Sequence, residues 1–133
     1  SDDQVKDFMT VSEDRFIEMC QHVTTQLGLT IREVTPIRDG CEVLAVEPQS
    51  KWRNARKMPK LLRFLRVADT IDESTVRALH EDMKSQNISR GILLTSGTFS
   101  RLAMDFAETR PIELYNKEHL QSLLKGQEPQ KQQ

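Results

Sequence analysis

Residues 90–107 restrict the fold more than any other stretch of the chain. Arg90-Gly91-Ile92-Leu93-Leu94-Thr95-Ser96-Gly97-Thr98-Phe99-Ser100 opens with an apolar run, Ile92 to Leu94, that is too short for a helix and reads as a buried strand. Ser96-Gly97-Thr98 breaks that run, and Thr98 or Ser100 can cap a following helix. Leu102, Ala103, Phe106 and Ala107 then fall on one helical face. After Pro111 the pattern repeats more briefly: a short strand from Ile112 to Tyr115, then a helix carrying Leu120, Leu123 and Leu124. Two strand-helix units in about 35 residues imply parallel strands with helices packed on a sheet.

The preceding part of the chain supplies the rest of such a sheet. Thr10 and Glu13 have capping-box spacing, and Phe16, Met19, Val23 and Leu27 line one face of a helix expected over 11–27, which Gly28 closes. Leu29 to Val34 and Cys41 to Val46 read as strands about a turn at Pro36 and Asp39-Gly40. Residues 49–60 read as a loop, and Leu61 to Val67 as a third strand. Thr70 with Glu73 suggests a second capping box, ahead of a helix with Val76, Leu79 and Met83 inward that ends near Gln86-Asn87. The expected order is helix, three strands, helix, strand, helix, strand, helix: one α/β domain over 10–125 with a mixed sheet between helices, flanked by polar, flexible tails at 1–9 and 126–133.

The strand-TSxxFS-helix-strand-helix block resembles the C-terminal half of the Mrr-type restriction-endonuclease domain, a branch of the PD-(D/E)XK nuclease superfamily. The family run is similar to "T-S-x-x-F-(S/T)-x-x-A-x-x-(F/A)-A … I-x-L-(x)-(D/N)-x-x-x-L-x-x-L-L". Here Thr95, Ser96, Phe99, Ser100, Ala103, Ala107, Ile112, Leu114, Asn116, Leu120, Leu123 and Leu124 carry it. The resemblance is specific over 90–125 and weaker over 10–89. It implies the restriction-endonuclease-like αβββαβ core followed by a strand and a helix, which is the element order expected from the residues.

The resemblance also implies a chemistry. Nucleases of this class cleave phosphodiesters with divalent metals held by carboxylates, and a nearby lysine stabilises charge or helps deprotonate the metal-bound water. The family acid lies on the second strand in a "G-(I/V)-D-(L/V)-(I/L)-A" context, and the third strand carries "Q-x-K" or "(D/E)-x-K". Gly40-Cys41-Glu42-Val43-Leu44-Ala45 lies over the first motif, which makes Glu42 the one metal-ligand position. The third strand, Leu61-Leu62-Arg63-Phe64-Leu65-Arg66-Val67, has no carboxylate, no Gln and no Lys. One register sets Phe64 and Arg66 at the family positions; the neighbouring register sets Arg63 and Leu65 there. Arg66 keeps a charge but cannot act as a base. Glu18 lies near the first-helix acid position that some relatives use. The catalytic candidates are thus Glu42, Arg66 and Glu18. A single carboxylate makes a poor Mg²⁺ site, so the expectation is a nuclease fold with an eroded centre and no cofactor, resembling a type IV restriction endonuclease without its third-strand residues.

Charge patterning points to a partner. The net charge is −1, yet Lys51, Arg53, Arg56, Lys57, Lys60, Arg63 and Arg66 fall between Pro48 and Val67 with no acid among them. Trp52, the only tryptophan, lies inside this basic run. Such a segment suits phosphate contact, with the indole available to stack on a base, or it is a solvated charged loop. DNA is the partner the resemblance implies. Ser96-Gly97-Thr98 with Arg101 is either a phosphate-binding turn or a plain helix cap. Cys20 and Cys41 show no metal-ligand spacing and fit a reducing, cytoplasmic compartment; His22, His80 and His119 are scattered on helices. No apolar run approaches the roughly 18 residues of a membrane span.

Three functions follow: a DNA-binding, catalytically degenerate targeting or sensing domain of a larger protein; an active Mg²⁺-dependent endodeoxyribonuclease of a restriction or repair system built on Glu42, with Glu18 or Glu47; and a protein-interaction module, such as a homodimer.

Overall fold

A computed structural model describes residues 3–48 and 58–126. Helices α1 (Asp3–Thr10) and α2 (Glu13–Gln26) lead into strands β1 (Thr30–Ile37), β2 (Gly40–Val46) and β3 (Pro59–Leu65). A short β4 (Thr70–Ile71), α3 (Glu73–Ser85), β5 (Arg90–Thr95), a short β6 (Thr98–Phe99), α4 (Arg101–Glu108), β7 (Ile112–Tyr115) and α5 (Lys117–Leu124) complete the chain.

The five long strands form one mixed sheet in the order β1-β2-β3-β5-β7. β1, β2 and β3 are antiparallel neighbours, whereas β5 joins β3, and β7 joins β5, in parallel. This follows from the connections: a tight turn at Asp39-Gly40 permits the hairpin, and each later strand is preceded by a crossover helix. Strand alternation divides the core in two. Cys41, Val43, Ala45, Leu62, Phe64, Ile92 and Leu94 pack under α1, α2 and α5, with Phe8, Phe16, Val23, Leu120 and Leu123. Leu61, Leu93, Leu44 and Leu65 face the other layer, where Val76, Leu79 and Met83 of α3 meet Ala103 and Phe106 of α4. The restriction-endonuclease-like α/β architecture expected from the sequence is the one observed.

Several local expectations are corrected. The segment 1–9, read as a flexible tail, contains α1: Val5 and Phe8 are buried, and Phe8 packs edge-on against Phe16 with ring centroids 4.8 Å apart. Eight residues rarely hold a helix alone, so burial against α2 and α5 decides this one. α2 begins after Ser12, whose hydroxyl accepts the Arg15 N–H, while Thr10 instead donates to the Lys6 carbonyl and closes α1. α3 is capped by Asp72, not Thr70, which belongs to β4. Leu102 does not join the inner face of α4 but is 64% exposed; Ala103, Phe106 and Ala107 alone turn inward. The tail residues beyond Gly126, and most of the loop read over 49–60, lie outside the described residues; Pro59 and Lys60 of that loop already belong to β3.

The TSxxFS stretch knits the sheet ends together. Thr95 Oγ1 accepts the Gly97 N–H at 3.0 Å, and Ser96 Oγ donates to the Val67 carbonyl at 2.7 Å. The Gly97 carbonyl accepts from Lys117 at the start of α5. Ser100 caps α4 by accepting the Ala103 N–H. A Cβ at Gly97 would sit 2.3 Å from the Asp69 carbonyl oxygen, so the chains cross here only because residue 97 has no side chain.

Candidate active site

The β2–β3 register decides which third-strand residues share a face with Glu42. Glu42 pairs directly with Arg63, Cys41 with Phe64, and Gly40 with Leu65. Since side chains alternate, Arg63 and Leu65 lie on the Glu42 face, toward α3, while Phe64 and Arg66 belong to the opposite one. Of the two registers open from sequence, the structure has the one with Arg63 and Leu65 beside Glu42.

Arg63 is the hub of this face. Its Nε and Nη2 both donate to Glu42 Oε2, at 3.0 and 2.5 Å, and Nη2 also donates to Asp82 Oδ2 of α3 at 2.6 Å. The side chains of Arg63, Glu42 and Asp82 are 10%, 20% and 49% exposed. These are short, charge-assisted contacts, and they gather one guanidinium and two carboxylates between a central strand pair and a covering helix. Glu42 Oε2 already accepts two N–H groups, which occupies the lone pairs a metal would need. Leu65 gives no polar group; it packs with the apolar layer under α3 and α4. Among the described residues no three His, Cys, Asp or Glu side chains cluster as metal ligands.

Asp82 was not singled out from the sequence. Its signal is a carboxylate set between inward Leu79 and Met83 on α3, at the margin of the buried stripe, but nothing local names its partner 19 residues earlier in the chain.

The other catalytic candidates lie elsewhere. Arg66 donates from Nη1 to the Val11 carbonyl at 2.8 Å and stacks on Phe16 with its guanidinium carbon 4.4 Å from the ring centroid. Glu18 sits on the exposed side of α2, paired with Arg15 at 3.4 Å, and Glu47 pairs with Lys60 at 3.7 Å. Neither carboxylate meets Glu42. Of the eight basic-segment candidates for DNA contact, Lys60, Arg63 and Arg66 thus have internal partners, whereas Lys51, Trp52, Arg53, Arg56 and Lys57 lie outside the described residues. In the turn before α4, the Ser96 N–H reaches the Leu65 carbonyl, the Gly97 N–H reaches Thr95, and Arg101 pairs with Asp105. Two of the three amides that a phosphate would use are therefore engaged.

The thiols flank this site from behind. Cys41, the neighbour of Glu42, and Cys20 of α2 are both free and fully buried on the opposite face of β2. Burial pushes the Cys20 thiol up, so it stays protonated and behaves as core.

A sheet with an antiparallel hairpin feeding parallel strands, helices on both faces and an acid on the second strand defines the restriction-endonuclease class of fold. The chain belongs to the Mrr_cat family, described as restriction endonuclease, whose model matches residues 8–124. Two solved structures share the fold. The DNA modification-dependent restriction endonuclease AspBHI aligns with a TM-score of 0.66 and 18% identity, over 92% of this chain and 34% of its own. The MspJI restriction endonuclease, solved in complex with a 27-mer oligonucleotide, aligns with a TM-score of 0.53 and 14% identity, over 84% of this chain and 25% of its own. The chain thus spans about a third and a quarter of these proteins. No curated protein matches it. No described helix is long and apolar enough to cross a membrane.

Proposed function

We propose that this chain is a DNA-binding domain of the restriction-endonuclease fold that has lost phosphodiester hydrolysis, and that it targets or senses DNA within a longer, cytoplasmic protein. One observation carries the loss of catalysis. The only acid on β2 is bound to Arg63, and the third-strand residues on its face, Arg63 and Leu65, offer neither an oxygen ligand nor a base. Arg63 cannot substitute for a catalytic lysine, because its charge is spent on two carboxylates. DNA contact is supported by family membership and by the oligonucleotide held by the MspJI neighbour. It is supported further by the basic run Lys51, Trp52, Arg53, Arg56 and Lys57, which joins β2 to β3 in sequence.

The test is plasmid and short-duplex binding in EDTA, Mg²⁺ and Mn²⁺, with mobility shift and nicking read together. The expected result is a metal-independent shift without nicking. Arg56→Glu with Lys57→Glu should weaken binding to all sequences and reduce the slope of log K against log[salt] by about 2, roughly 0.9 for each phosphate no longer neutralised. Nicking abolished by Glu42→Gln would overturn the loss of catalysis. An unchanged salt slope would remove the basic run as the contact face.

A further inference from the structure

Arg63 does more than fill the place of a missing ligand. We infer that its guanidinium is the resident cation of a carboxylate pair, Glu42 and Asp82, and that the pair becomes a site for a hard divalent cation once the guanidinium is removed. The argument starts from Nη2, which lies 2.5 Å from Glu42 Oε2 and 2.6 Å from Asp82 Oδ2. One positively charged nitrogen therefore sits at nearly equal distance from two carboxylate oxygens that come from different layers, β2 and α3. Those separations fall at the upper end of the roughly 2.3–2.6 Å range of calcium-oxygen bonds.

Charge explains why the place must be filled. Two carboxylates aimed at one point repel each other, and with Arg63 the group carries a net −1. Removing Arg63 leaves −2 facing a gap that a cation can neutralise. Glu42, 20% exposed, would be the inner ligand, while Asp82, about half exposed, lies on the side from which water can complete a coordination shell. In the native chain a divalent cation does not fit, because the guanidinium occupies the position and holds Glu42 Oε2 with two N–H groups. Asp82 is thus a site residue in its own right, contributed by the helix that follows the third strand.

The inference rests on the inactive-site half of the proposed function and not on DNA contact. Its readout uses neither DNA nor cleavage: Mn²⁺ alone is titrated into the 133-residue chain, and free Mn²⁺ is followed by its electron paramagnetic resonance. The native chain should show no Glu42-dependent saturable binding. Arg63→Gln should bind one Mn²⁺ with a dissociation constant on the order of 10⁻⁴–10⁻³ M, the range of weak, few-ligand sites. Adding Glu42→Gln or Asp82→Asn to that variant should abolish the binding.

An Arg63→Gln variant that binds no better than the native chain, or whose binding survives both added changes, overturns the inference. So does Glu42-dependent binding by the native chain. If Arg63→Gln is unfolded by circular dichroism without metal, its recovery in Mn²⁺ or Ca²⁺ becomes the readout. Refolding that needs Glu42 and Asp82 supports the site, and persistent unfolding refutes it. Plasmid nicking that survives Glu42→Gln would instead refute the loss of catalysis and leave this titration standing.

Discussion

If Glu42 and Arg63 form a structural ion pair, they must be coupled in stability, and the coupling must be larger than that between Arg63 and Asp82. The perturbations are Glu42→Gln, Arg63→Met and Asp82→Asn, singly and in the two pairs that include Arg63. Arg63→Met strands a carboxylate that is only 20% exposed, with a second one beside it. Breaking a buried pair by removing one partner costs about 3–5 kcal/mol, and the residual exposure of Glu42 sets the expectation near the lower end. Glu42→Gln costs less, about 1.5–2 kcal/mol, because the amide oxygen still accepts one N–H and Asp82 still balances the guanidinium. In the double variant no charge is left unpaired on β2, so the Glu42–Arg63 coupling should be about 2 kcal/mol. Asp82 is half exposed, and its coupling to Arg63 should be about 0.5–1 kcal/mol.

Urea unfolding with linear extrapolation measures all of these, provided the slopes agree between variants. Salt supplies an internal control. At 1 M the Debye length falls to about 3 Å, so the Asp82 coupling should fade while the Glu42 coupling persists. A Glu42–Arg63 coupling below about 0.5 kcal/mol would mean that the pair is not desolvated as argued. It would reopen Glu42 as a free functional carboxylate.

Three further outcomes test the frame around the site. Gly97→Ala brings a Cβ to 2.3 Å from the Asp69 carbonyl oxygen, which is backbone and cannot swing away; a loss of about 1–3 kcal/mol is expected in the same urea assay, and unchanged stability would refute the crossing of chains described there. Phe106→Ala empties the core beneath α3 and α4 and removes the ring that Arg77 and Arg110 stack on at 4.5 and 3.8 Å; it should cost about 3–5 kcal/mol, and a loss below about 1 kcal/mol would refute the inward placement of that helix face. His119 accepts the Asn116 N–H through Nδ1 at 3.1 Å, and burial disfavours its charged form, so its folded pKa lies below its unfolded one. Its contribution is therefore fully present above about pH 6.5 and is lost as pH falls below that value, because the unfolded chain binds the proton more readily. His119→Gln keeps an acceptor at the cap and should flatten the stability profile between about pH 5 and 7; an unchanged profile would refute the assignment.

Periodicity revealed the layers of this fold but not the ends of its helices. Strands and helices are set by many residues acting together, as in Ile92 to Leu94 or Val76, Leu79 and Met83, and these appear where they were expected. A cap is set by one residue. Thr10 and Ser12 are both sound caps, as are Thr70 and Asp72, and only the path of the chain into the helix decides between them. α1 escaped notice for a different reason. Val5 and Phe8 are too few to announce a helix, and their burial under α2 and α5 is a property of the assembled layers. Leu102 failed in the opposite direction: a wide apolar arc on paper became a narrower inner face, because Ala103 and Ala107 bring α4 close to the sheet and leave Leu102 outside.

The candidate site shows the same division more sharply. The sequence narrowed the third strand to two registers and could not choose, since Arg63 and Arg66 are equally basic and equally near Glu42 along the chain. Pairing across β2 chose, and it separated two arginines three residues apart onto opposite faces, one in a carboxylate pair and one on a phenyl ring. The residues that carry the family resemblance best are those the backbone itself requires. A Cβ at Gly40 would lie 2.0 Å from the Phe64 carbonyl oxygen, so β2 and β3 can approach there only with glycine. Thr95, Ser96, Ser100 and Asn116 satisfy backbone groups at strand and helix ends. None of these duties depends on whether a phosphodiester is cut. A nuclease fold can thus keep its most legible signature while position 63 changes the chemistry of the cleft. What tells the two cases apart is whether the β2 acid faces a gap or a guanidinium, and in this chain it faces Arg63.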